Sequence, residues 1–168
     1  FGFPVQIHAS ALVLLLLLVL GGDGNSSGIV SGVWLTAVVL LSVLVHELGH
    51  AFVARWFGLG PVSIVLHGFG GLARFSSRPP HRPGVIVGLA GPVAGLLLGF
   101  LALVVLRLLD WRSVMAVEIL DRLVAVNVFW SLFNLLPMFP LDGGQVLWHL
   151  LADRVSPTDA RRWVRRSS

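Results

Sequence analysis

The sequence has no cysteine and no lysine, and only 12% of its 168 residues are charged. Without cysteine there are no disulfides, thiolate metal sites or cysteine nucleophiles, so any metal must be held by histidine and carboxylate. So little charge beside 56% hydrophobic residues excludes an ordinary water-soluble domain, for which about 25% charged and 45–50% apolar is usual. The net charge of +4 does not indicate nucleic acid as a partner. Its arginines gather between apolar segments and at the C-terminus, a distribution that fits membrane topology.

What the chain does have is long apolar runs. Mean hydropathy is +0.89, and several runs approach the ~20 residues that cross a ~30 Å hydrocarbon core, so the lipid bilayer is the implied surrounding. Phe1–Leu20 reads as a first span and not as a signal peptide, because no positive charge precedes its leucines and no small-residue cleavage site follows. Gly21–Ser31 is a Gly/Ser-rich turn whose Asn25-Ser26-Ser27 sequon is too short a pattern to carry weight. A second span runs from about Gly32 to Phe57 and is stopped by Gly58, Gly60 and Pro61.

In Pro61–Phe75, two β-prone runs around Gly68, Gly70 and Gly71 predict a hairpin. Ser76–Pro83 is a polar loop. A third span, about Gly84–Leu109, carries glycines at 84, 88, 91, 95 and 99, a stripe against which another helix can pack closely. The fourth apolar segment, about Val114–Leu136, ends in FNLLPMFPLDGG, where Pro137 and Pro140 break the helix at or inside the membrane. A short helix then runs to about Asp153.

The expected fold is therefore an all-α polytopic membrane protein. It has about four transmembrane helices, a short C-terminal helix, and a small β-hairpin between the second and third spans. A membrane-embedded core occupies 1–155, and 156–168 form an Arg-rich tail along the interface. Arg55, Arg74, Arg78 and Arg82 in the second loop region, with five arginines between Arg154 and Arg166, place that loop and the C-terminus on the cytoplasmic side.

The chemistry lies in His46-Glu47-Leu48-Gly49-His50. The i,i+4 spacing sets both imidazoles on one helix face, and Glu47 lies near that face, placed to take a proton from water without binding the metal. A lone histidine in a span is often a polar contact between helices. Three ionisable groups within five residues each cost about 2.5–3.5 kcal/mol in mid-span and need a compensating ligand. A tetrahedral site then lacks a third protein donor. Asp142 follows the Pro-broken helix in LDGG, where unwound backbone can turn a carboxylate inward; its plainer reading is an N-cap. His149 is a weaker ligand candidate, and His67 and His81 read as loop polarity.

HELGH in a span, GLAGPVAG at Gly88–Gly95 and NLLPMFPLDGG at Asn134–Gly144 together resemble the site-2 protease family of intramembrane zinc metalloproteases. With LHGFGGLAR the likeness covers about His8 to Gln145. The resemblance implies that His46, His50 and Asp142 hold one Zn²⁺, that Glu47 is general base and then proton donor, and that residues 1–155 are a metalloprotease core. It further implies that Asn134 sits near the active site, donating to the developing oxyanion or holding the substrate strand. Asn127 is a weaker candidate for that work, with an interhelical hydrogen bond as its alternative. His8 resembles a frequent family position, with an interfacial hydrogen bond as its default. The PDZ and CBS regions of some members are not in this sequence.

The function expected is hydrolysis of peptide bonds within or near transmembrane segments of membrane-protein substrates, releasing a regulatory factor, at a cell-membrane site toward the cytoplasm. A regulatory membrane protein is a possible partner. A transmembrane helix hides its carbonyls in i→i−4 bonds and must unwind before attack, so the hairpin is expected to offer replacement bonds by β-strand addition. The alternative is a non-enzymatic metal-binding or metal-transport membrane protein, which predicts ionisable residues spread along a path. A third reading is an inactive scaffold, against which the intact His46, Glu47, His50 and Asp142 stand.

Overall fold

A computed structural model describes residues 2–20, 26–67, 70–77, 79–108 and 113–152. The expected tail, 156–168, lies outside them. Among the described residues there are five helices: α1 (Ala9–Leu20), α2 (Ser26–Trp56), α3 (His81–Leu108), α4 (Val114–Asn134) and α5 (Asp142–Ala152). Gly28–Trp56 and His81–Leu108 are each long and apolar enough to cross a membrane. Helix α4 has 21 residues, with Glu118, Asp121 and Arg122 in its first turns. Helix α1 has 12 residues, about 18 Å at 1.5 Å per residue.

The first apolar stretch differs from expectation because its leading residues are not helical. Val5–Ile7 form strand β1, parallel to β2 (Val62–His67), which pairs antiparallel with β3 (Gly70–Phe75). The expected two-stranded hairpin is thus a three-stranded sheet, ordered β1-β2-β3. Strand β1 joins through β-branched Val5 and Ile7, in register with Ile64 and Leu66.

The register determines which backbone groups of β3 face outward. Ile64 N–H donates to Pro4 O and His8 N–H to Leu66 O, so alternate residues of β2 spend their backbone groups on β1. Ser63, Val65 and His67 therefore face Arg74, Leu72 and Gly70 of β3. Gly71, Ala73 and Phe75 are left with backbone groups on the outer edge, which no strand covers among the described residues.

The sheet sits on α2. Ile64, Leu66 and Val62 pack with Val43, Ala51, Ala54 and Leu59 in one buried cluster, closed by Val87 of α3. The glycine stripe of α3 receives side chains from several helices rather than one. Positions 84 and 88 face His149 and Val146 of α5, 91 faces His50, and 95 and 99 face Ser131 and Asn127 of α4. Leu97, Phe100 and Leu101 on α3 are exposed, as a lipid-facing surface requires.

Candidate metal centre and active site

Helix α2 brings His46 and His50 one turn apart, and the start of α5 brings Asp142 to them. His46 Nε2 lies 3.0 Å from Asp142 Oδ2, His50 Nε2 lies 3.3 Å from the same oxygen, and the two Nε2 atoms are 3.3 Å apart. A tetrahedral zinc with bonds of about 2.0–2.1 Å separates its donors by about 3.3 Å, so this triangle has the dimensions of one face of its coordination shell.

The hydrogen bonding also fits a cation. His50 Nδ1 is 2.7 Å from the Val87 carbonyl, which can only accept, so Nδ1 bears a proton and Nε2 is the nitrogen left facing the site. Gly91 makes room for this: a Cβ there would meet His50 Cε1 at 2.6 Å. Both histidines are buried. Burial opposes ionisation of Asp142, but hydrogen bonds and charge from His46 and His50 outweigh it and hold the carboxyl at about 2. An ionised carboxylate and two imidazole Nε2 atoms converging on one point are the donor set that zinc takes. Asp142 is the first residue of α5, and the carbonyl of Leu141 before it accepts from Gly144 and Gln145 N–H, so Asp142 stands one residue inside the expected capping position.

Glu47 is buried beside this triangle. Gly71 of β3 lies flush against it: a Cβ on Gly71 would meet Glu47 Cδ and Oε1 at 2.7 Å. The outward-facing Ala73 amide is directed at the Glu47 carboxylate. These four side chains open into a cavity of about 470 Å³. One wall is β3 from Gly71 to Phe75, and the other includes Asp142, Gln145 and His149 of α5.

Asn134 lines the same cavity and donates from Nδ2 to Trp130 O at 2.9 Å. Asn127 is not among the cavity's lining residues. It is fully buried, and its Nδ2 donates to Ser42 Oγ at 2.9 Å and to Leu123 O at 2.8 Å, joining α4 to α2. His8 contacts Ser10 Oγ at 2.9 Å and heads α1. His81 is not in a loop but is the first residue of α3, its ring 6.1 Å from that of His149. His149 is not one of the residues whose donor atoms converge with His46, His50 and Asp142. Sequence reasoning missed Gly71, Ala73, Val87 and Gln145; for Gln145, the 142/145/149 spacing on one helix face was the available signal.

Fold and donor set together define an H-E-x-x-H metal-site protein built on apolar helices. Comparison with known proteins agrees. Peptidase family M50 matches over residues 34–117. The zinc metalloprotease MJ0392 of Methanocaldococcus jannaschii is 31% identical over 155 residues, covering 91% of this chain and 44% of that protein. The putative zinc metalloprotease YwhC of Bacillus subtilis is 30% identical over 151 residues, covering 70% of this chain and 69% of that protein. The solved site-2 protease from Methanocaldococcus jannaschii superposes with a TM-score of 0.80 at 27% identity, over 98% of this chain and 74% of that one. The chain belongs to peptidase family M50 and, with its apolar helices, to the membrane. It spans under half the length of several relatives it matches.

Proposed function

We propose that the chain is an intramembrane zinc endopeptidase, hydrolysing peptide bonds within or near transmembrane segments of membrane-protein substrates. The observation that carries this is the zinc-sized triangle of His46, His50 and Asp142 with the Glu47 carboxylate beside it, between apolar helices. The three donors meet at one level, whereas a transport path needs donors in series.

When bound, zinc supplies a Lewis acid and lowers the pKa of water at the site to about 7. Glu47 takes a proton from the attacking water and passes it to the leaving nitrogen as the carbon–nitrogen bond breaks. His46, His50 and Asp142 hold the ion. Asn134, on the cavity wall, donates to the carbonyl oxygen as it gains charge.

The outer edge of β3 receives the unwound substrate. Its Gly71 and Phe75 backbone groups face outward beside Glu47, so a strand added there brings a carbonyl to the site. Helices α1 and α4 complete a multi-pass arrangement of four spans, with the site toward the cytoplasmic side where the arginines lie. The substrates are membrane proteins whose cleavage releases a regulatory factor, and a second membrane protein governs access.

The test is cleavage of a labelled transmembrane peptide in detergent by the wild type and Glu47→Gln at equal bound zinc. Loss of cleavage with zinc retained is expected. Equal cleavage by both, or zinc flux into liposomes that survives the change, overturns the reading.

A further inference from the structure

The two imidazoles of the metal centre are not equally supported. When Nε2 holds a metal, Nδ1 carries the ring's proton, and the acceptor it finds fixes the ring. His50 has that acceptor in the Val87 carbonyl. His46 Nδ1 is buried and has no hydrogen-bond partner among the described residues. Among the same residues, Ser131 Oγ of α4 is the one buried side-chain oxygen in that condition. Unpaired buried polar groups are costly, and two of them on facing helices call for a common explanation.

Contacts on three sides put His46 and Ser131 at one level of the bundle. Ser31 of α2 bonds to Glu118 of α4, and Ser42 accepts from Asn127, so the two helices run in the same direction. One turn beyond the Ser42–Asn127 bond stand His46 on α2 and Ser131 on α4. On β3, Gly70 lies against the Trp130 ring and Gly71 against Glu47, so the sequence neighbours of Ser131 and His46 meet adjacent residues of one strand. Helix α3 runs opposite to α4, since Gly95 faces Ser131 and Gly99 faces Asn127. Gly95 is one turn from the Gly91 that faces His50, as His46 is one turn from His50. Gly95 also leaves Ser131 its room, because a Cβ there would meet Oγ at 2.5 Å.

Resting on the zinc reading of the centre, we propose that Ser131 is a positioning residue for the metal, its hydroxyl orienting the His46 ring through one bound water that accepts from Nδ1 and bonds to Oγ. A buried water needs two to four polar partners, and Nδ1–H and a hydroxyl supply them between α2, α3 and α4. The two ligands are then held differently. His50 is oriented by a main-chain carbonyl, and His46 by a side chain that can be removed without touching a metal donor.

The experiment measures zinc affinity by competition with a fluorescent chelator, and the visible spectrum of the Co²⁺-loaded protein, which reads ligand geometry without turnover. Ser131→Ala is expected to weaken zinc binding about 10–100-fold and to shift the cobalt bands. Gly95→Ala pushes the hydroxyl aside and is expected to do the same. Added to Ser131→Ala it costs nothing more, because the next atom that a Cβ at 95 would meet is Asn127 Oδ1 at an ordinary 3.6 Å. Ser42→Ala is the control: it removes a bonded hydroxyl one turn away, lowers the melting temperature, and leaves zinc affinity and the cobalt bands unchanged. Unchanged zinc affinity in Ser131→Ala, or an equal loss in Ser42→Ala, overturns the proposal. Affinity is read without cleavage, so wild type that binds zinc and cuts no peptide overturns the protease reading alone; wild type that binds no zinc overturns both.

Discussion

Glu47 and Gly71 are packed so closely that no side chain fits between them: a Cβ at 71 would lie 2.7 Å from both Cδ and Oε1 of the carboxylate. Strand β3 therefore fixes where the Glu47 carboxylate can stand. Gly71→Ala must push Glu47 aside while leaving the three metal donors in place. Misplacement on the scale of 1 Å is expected to cost about 10²-fold in kcat/KM. Peptide cleavage and zinc stoichiometry measured on the same sample check this; zinc loss alongside cleavage would show that the strand supports the metal and not the base.

Gly91 plays the corresponding part for His50. A methyl group there crowds the ring, closest at the metal-facing Nε2, and pushes that donor together with its Nδ1 bond to the Val87 carbonyl out of place. Loss of such an outer partner weakens metal binding about 10–100-fold. Zinc affinity of Gly91→Ala, read by competition with a fluorescent chelator, is expected to fall in that range, with activity restored by excess zinc.

Zinc retention is expected to follow imidazole protonation and not carboxylate protonation. His46 and His50 must be neutral to bind the ion, so acidification drives zinc off with proton uptake by the imidazoles. Asp142 contributes nothing to that step because its carboxyl is held at about 2. A depressed carboxyl stabilises the folded chain above its ordinary 3.8 and loses that contribution as pH falls to about 2. Metal release and loss of metal-free stability are thus two separate transitions, visible by zinc release and by thermal unfolding across pH. Asp142→Ala is expected to abolish tight zinc binding at every pH.

Local signals made much of this site legible in advance. The 46/50 spacing needs only helix periodicity, and α2 is a continuous helix there. Asp142 was marked by Pro137 and Pro140, which end α4 and let a new helix start on the carboxylate. Partnerships between distant segments were not legible. Val5 pairs with Ile64 across nearly sixty residues, and no periodicity in a three-residue strand announces that. The contact of Gly71 with Glu47 depends on which residues of β3 face outward, and that follows from β1 occupying the far side of β2. The α3 glycines read correctly as a close-packing stripe, but the side chains that enter it come from three different helices.

The two asparagines of α4 differ in their surroundings, one buried between helices and one lining the cavity. Asn127 is sealed inside the bundle, donating to Ser42 of α2 and to Leu123, and its removal takes away the bond that Ser42 Oγ accepts while that hydroxyl still donates to Val38 O. Asn127→Ala is therefore expected to lower stability by about 1–3 kcal/mol. Protein that remains folded should keep its kcat. Asn134 lines the cavity and spends one N–H on its own helix, so Asn134→Ala should leave unfolding nearly unchanged. If it donates to the carbonyl oxygen under attack, kcat falls about 10²–10³-fold with KM and zinc content preserved. Thermal unfolding and steady-state kinetics on both variants distinguish the two. A matched loss of stability in Asn134→Ala, or a kcat defect confined to Asn127→Ala, would reverse the assignment.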